Sequence, residues 1–171
     1  KVAVDTTPQA IVAYAHKLGI HSQLPAETSI ALGTGQVTPL EMTNAIATYA
    51  AANPELEWIV GGGWWMAHYA GGTPTREALD AVVPDRPVYL INADHHGAWA
   101  NTRALELAGV TAETPDPVDG RIERDEQGAP TGTLHEGARM LALSHAPQPN
   151  LDEMYAGFLV GAVQIAWLVV K

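Results

Sequence analysis

The sequence predicts a mixed α/β fold, and three observations carry that prediction. Two capped amphipathic helices open the chain, short apolar runs alternate with short helical patterns from residue 54, and residues 120–136 have the alternation and turn chemistry of a β-hairpin. A chain of 171 residues suits one well-packed domain. Within it, texture separates a helical segment, residues 1–53, from an α/β region, residues 54–171.

The first helix starts at Thr7-Pro8, an N-cap followed by proline at the first helical position. Its apolar stripe is Ile11, Val12, Tyr14, Ala15 and Leu18, and Gly19 ends it. The second starts at Thr38-Pro39-Leu40-Glu41, a capping box, and runs to the Asn53-Pro54 break. Residues 22–37 lack a sustained period and read as a connection. Glu57 to Val60 is a short strand running into three glycines, Thr75 to Val83 a helix, and Pro87 to Ile91 a buried strand, which together predict a parallel βαβ unit. Asp94, His95 and His96 follow that second strand, at the carboxyl edge where α/β proteins place their sites. Ala98 to Ala108 is expected to be a helix closed by Gly109, and GRIERD and PTGTLHE to be strands joined by an EQGA turn. A final helix begins near Asn150 or Asp152; its residues 154–170 carry no charge, but they are at the short end of a bilayer span, so burial is expected rather than insertion.

A net charge of −10 disfavours nucleic acid and anionic lipid as partners. Without cysteine, any metal must be held by histidine and carboxylate. The chain begins with Lys1 and no leader pattern, which points to a partial sequence.

The phrases EWIVGGGW, PTREALDAVVPDRPV, DHHGAWANTRALELAG and DGRIERDEQGAPTGTLHEGA occur in one order through residues 54–145. As a set they resemble the metal-dependent amidohydrolase superfamily, in its exoenzyme-like branch. The resemblance implies part of a (β/α)₈ barrel, a small-molecule amide substrate, and a divalent metal, zinc first, that activates water; an inactive form would need no cofactor. In that family a histidine at the position of His96, followed by the AW-x-N phrase of Trp99 and Asn101, sits near substrate and metal. Glu136 stands at a recurrent glutamate that implies a metal ligand or its neighbour. His96 and Asp94 are thus the expected catalytic residues, Trp99, Asn101 and Trp64 the expected substrate contacts, and Glu136 the expected metal residue.

Physically, a histidine at a strand's carboxyl end can polarise a carbonyl or orient substrate. The plainer alternative makes Asp94 the cap of the following helix and both histidines solvated loop residues. On extended backbone His95 and His96 would point in opposite directions, so they would not share an ion. Trp64, Trp65, His68 and Tyr69 suggest either an aromatic pocket or packing.

Residues 7–52 resemble a penicillin-binding transpeptidase segment through KLGIHSQLPAETSIALGTGQVTPLEM. The two resemblances meet in ATYAAANP, and a chimera is the simplest account. No Ser-x-x-Lys is present, because position +3 from Ser22, Ser29 and Ser144 holds Pro25, Leu32 and Pro147. No His-x-His is present either, and a complete barrel takes roughly 200 residues or more. Little or no activity is therefore expected of this chain alone. The rival expectation is a non-catalytic structural subunit that forms a homo-oligomer or larger complex through its C-terminal helix. The compartment is unknown, with the cytoplasm expected for the amidohydrolase-like part.

Overall fold

The computed structural model describes residues 7–27 and 37–147. The expected C-terminal helix and most of the connection after Glu27 lie outside them.

Helix α1 spans Pro8–Lys17, with the Thr7 side chain accepting from the Ala10 N–H at 3.2 Å and Gly19 at φ 87° beyond its end. Helix α2 spans Pro39–Ala52 and carries the capping box of Thr38 and Glu41. The Glu41 carboxylate does more than cap. It accepts from the His21 N–H at 2.8 Å, the Ser22 N–H at 2.7 Å, the Ser22 hydroxyl at 2.6 Å, and the Thr38 N–H and hydroxyl at 3.0 Å each. The segment after α1 is thereby tied to the start of α2.

Strand β1 is Ile59–Trp64 and β2 is Val88–Asn92; they pair in parallel, with helix α3, Arg76–Asp80, between them. This is the expected βαβ unit, but β1 runs through the glycines instead of ending at them. The reason is space: a Cβ on Gly62 would lie 2.5 Å from Ile91 Cγ2 and 2.6 Å from Ile91 O, so only glycine lets the strands approach there.

The expected helix from Ala98 is corrected. Residues Gly97–Ala100 form strand β3, antiparallel to β2, and helix α4 is confined to Thr102–Leu107. All four residues of GAWA are buried, and Asn101 caps the helix, so the strand must finish before it. Four apolar residues cannot reveal their period, and sheet pairing decides their conformation. The expected hairpin forms as β4, Gly120–Arg124, and β5, Pro130–Glu136, followed by α5, Arg139–Leu143, a helix the sequence reading did not resolve. Strand order is β1-β2-β3-β5-β4.

Alternation along β2 and β3 sorts the core into two layers. Val88, Leu90 and Trp99 join Ile11, Ala15, Met42, Ile46 and Tyr49 of α1 and α2. Tyr89, Ala98 and Ala100 join Ala104 and Leu105 of α4, Leu134 of β5, and Ala138 and Ala142 around α5. The helical segment thus shares one core with the sheet. Arg86 adds a polar tie, donating to Ala50 O at 2.7 Å, Asn53 O at 2.9 Å and Leu56 O at 3.2 Å, and so closes the α2 carboxyl end.

Asn101 is 0 % exposed and uses all its hydrogen-bonding capacity. Its Oδ1 accepts from the Val88 N–H at 2.9 Å and the Ala104 N–H at 3.0 Å, while its Nδ2 donates to Val83 O at 3.0 Å and Arg86 O at 2.8 Å. Replacement Asn101→Ala removes four hydrogen bonds, three of them buried, and a loss of roughly 3–5 kcal/mol is expected in urea unfolding.

The Ser22 hydroxyl, followed by the Thr38, His21 and Ser22 backbone N–H groups, holds the Glu41 carboxyl down at about 2, from an ordinary 4.5, against the opposing effect of burial. A lowered folded value means stability present above pH 4.5 and lost as pH falls towards 2. The gap in urea midpoint between the native protein and Glu41→Gln should therefore be widest above pH 4.5 and shrink below it; a pH-independent gap would contradict this account.

Candidate functional site

The turn between β2 and β3 carries Asp94, His95 and His96 at the carboxyl end of the parallel pair. Buried Asn92 anchors both of its ends, with its backbone oxygen accepting from the His95 N–H at 3.1 Å and its side-chain Oδ1 from the Gly97 N–H at 2.8 Å. Asp94 does not cap α4. Its Oδ1 accepts from the His96 N–H at 2.9 Å within the turn. The backbone is not extended here, since His95 sits at φ 65°, so the strand geometry expected of the adjacent histidines does not apply.

Glu136 reaches the turn from the end of β5. Its backbone N–H donates to His96 O at 2.7 Å, and at φ 50° it leaves the strand in the left-handed region. Its carboxylate then meets the His96 ring, with Nδ1 at 2.9 Å from Oε1 and 3.1 Å from Oε2. An ionised carboxylate only accepts, so the Nδ1–H donates, and the ring orientation is fixed through it. The two side chains are 66 % and 56 % exposed, so the pair opens to solvent. The hydrogen bond and then the charge of Glu136, helped by Asp94, raise the His96 pKa above the ordinary 6.5.

The structure thus brings together three of the expected site residues, Asp94, His96 and Glu136. It places the other three inside the core. Trp64 is 2 % exposed, with its indole N–H donating to Leu90 O at 2.9 Å; Trp99 is 0 % exposed and donates to Thr75 O at 2.9 Å. Trp64, Tyr69 and Trp99 meet edge to face with centroids 6.0, 6.4 and 5.6 Å apart, so here the aromatic residues pack. Asn101 is the saturated hub described above. None of these three presents surface to a ligand.

A second histidine–carboxylate pair lies on the hairpin. His135 Nε2 is 2.9 Å from Glu123 Oε2, and Arg121 binds the same oxygen at 2.7 Å. Register could have suggested it, because His135 lies opposite Arg121. Among the described residues no group of three or more histidine or carboxylate side chains is placed to hold a metal ion. Both Glu136 oxygens lie within hydrogen-bond distance of the His96 ring.

Residues 20–170 match the Amidohydrolase family. The chain belongs to the amidohydrolase family. It is 41 % identical over 102 residues to the N-substituted formamide deformylase of Arthrobacter pascens, covering 59 % of this chain and 19 % of that protein. It is likewise 41 % identical over 99 residues to Protein LONG AFTER FAR-RED 3 of Arabidopsis thaliana, covering 58 % of this chain and 17 % of that protein. An uncharacterized metal-dependent hydrolase from Pyrococcus horikoshii OT3 aligns with a TM-score of 0.46 at 24 % identity, over 84 % of this chain and 27 % of that one. The chain spans about a fifth of the length of these curated relatives. No helix among the described residues is long and apolar enough to cross a membrane.

Because its partner raises it, the His96 charge contributes stability fully present below pH 6.5 and lost as pH rises through the folded value. By NMR, the His96 ring should titrate above 6.5, and Glu136→Gln should bring it down. An unchanged titration in that variant would remove the pair from solution.

Proposed function

We propose that this chain forms part of a hydrolase of amide-type C–N bonds, in which water cleaves the amide to a carboxylic acid and an amine. The observation that carries the proposal is the His96–Glu136 pair, 40 residues apart in sequence and joined at 2.9 Å at the carboxyl edge of the parallel strands. Family membership supports the reaction class. N-substituted formamides are the first substrates to try, because a relative at 41 % identity is named for their deformylation.

In this reading His96 is the group that meets substrate. Glu136 accepts from Nδ1 and stabilises the imidazolium, so the proton on Nε2 faces the carbonyl oxygen and follows its charge as water adds. Asp94 fixes the backbone of the turn and adds negative charge beside the ring. The family's divalent metal, zinc first, would supply activated water in the whole protein, with ligands beyond the described residues.

The test measures amine release from N-substituted formamides, with elemental analysis and chelation of the same preparation. A divalent ion, activity lost on chelation, and a kcat lowered on the order of 10²-fold in His96→Ala are expected. A folded, metal-loaded protein that releases no amine from any amide would sink the proposal, and full activity in His96→Ala would remove that residue from it.

A further inference from the structure

One buried residue brackets His96. Asn92, the last residue of β2, is 2 % exposed and lies opposite Trp64 at the carboxyl ends of the parallel pair. Its backbone oxygen accepts from the His95 N–H at 3.1 Å and its side-chain Oδ1 from the Gly97 N–H at 2.8 Å. The residues immediately before and after His96 are therefore held by the same partner. The step out of β2 is pinned as well, because the Ala93 N–H donates to Trp64 O at 2.9 Å.

The other contact that shapes the turn from within is weaker. The bond from the His96 N–H to Asp94 Oδ1 is open to solvent, where water competes for both groups, whereas the bond from Gly97 to Asn92 is buried and has no such substitute. His95 also adopts a left-handed conformation, at φ 65°, that a residue with a side chain keeps only when its surroundings impose it. The His95 N–H bond to Asn92 falls on that residue. The His96 side chain is 66 % exposed, so little packing fixes its direction, and its meeting with Glu136 depends on where the backbone sets it.

We propose that Asn92 is a positioning residue for hydrolysis: by holding the amides on both sides of His96 it keeps the ring on Glu136 and aimed at the substrate carbonyl. The inference rests on the hydrolase reading of His96 and Glu136. Asparagine suits the place because its oxygen accepts without adding a negative charge to a turn that already carries Asp94 and meets Glu136.

The experiment follows amine release from N-substituted formamides in the native protein, Asn92→Leu, Asn92→Asp and Thr133→Val, and reads the protonated nitrogen of the neutral His96 ring by NMR at alkaline pH in the same preparations. Leucine is close to asparagine in size but accepts nothing, while aspartate offers an oxygen in either protonation state. Thr133→Val is the control for stability, since it removes a buried bond to Pro74 O at 2.8 Å away from the turn. The native ring should carry its proton on Nδ1, held there by Glu136. Asn92→Leu should move that proton to Nε2 and lower kcat on the order of 10- to 100-fold, with KM changed less than about threefold. Asn92→Asp should recover most of kcat and the Nδ1 proton. Thr133→Val should lower the urea midpoint and leave kcat and the ring as they are.

A native kcat and an unmoved proton in folded Asn92→Leu overturn the inference, and so does an equal loss of kcat in Thr133→Val. Should Asn92→Leu fail to fold, Asn92→Ala, whose smaller side chain admits water to the Gly97 N–H, is judged by the same outcomes. A native ring protonated on Nε2 overturns the inference without any variant. A proton that moves in Asn92→Leu, in a protein that releases no amine, upholds the positioning and sinks the hydrolase reading; turnover that is indifferent to Asn92→Leu does the reverse.

Discussion

The Asn101 side-chain amide is the constraint on which this arrangement depends. Its four hydrogen bonds join the first residue of β2, the first turn of α4, the end of the α3 segment and the loop that carries Arg86. Each partner is a backbone group that burial would otherwise leave unpaired, at a cost of about 1–3 kcal/mol apiece. One side chain therefore fixes where β2 begins, where β3 ends and how α4 departs. Since the site turn is only the link between β2 and β3, its ends are set by the same amide. The Arg86 guanidinium extends this control to the α2 carboxyl end, so the helical layer and the sheet are registered by neighbouring polar ties.

Local strain is concentrated where His96 and Glu136 meet. His95 at φ 65° and Glu136 at φ 50° are the non-glycine residues with positive φ among those described. Such conformations cost on the order of 1 kcal/mol each and persist when surroundings impose them. Here Asn92 clamps the turn, and the Glu136 N–H bonds the His96 carbonyl, which swings the glutamate out of β5 towards the ring. Neighbouring glycines allow the crowding this needs: a Cβ on Gly120 would lie 2.3 Å from Ala138 N, and one on Gly137 would lie 2.0 Å from Asp119 Oδ1. The site is thus held by the hairpin behind it as much as by its own turn.

Charge follows the same division of labour. Ion pairs such as Arg103–Glu106 sit on the surface, where each contributes little, about 0–1 kcal/mol. The partly buried polar groups do different work. Glu41 gathers five donors and orders the entry to α2.

The sequence by itself determined what local physics decides. Thr7, Thr38 and Glu41 marked helix starts through hydrogen bonds spanning three residues, Gly109 marked a stop, and GRIERD and PTGTLHE marked a hairpin by alternation around a turn. It also put Asp94 and His96 just beyond a strand's end, in the turn that follows β2. Only tertiary structure decided the rest. GAWA became a strand because β2 and β5 stand on either side of it to satisfy its backbone, and no four-residue period announces that. Trp64 and Trp99 became core because helices cover their face of the sheet, although their composition suits a pocket equally well. The contact between His96 and Glu136 spans 40 residues and depends on strand order, two left-handed backbone positions and the Asn92 clamp, all of which are properties of the assembled sheet.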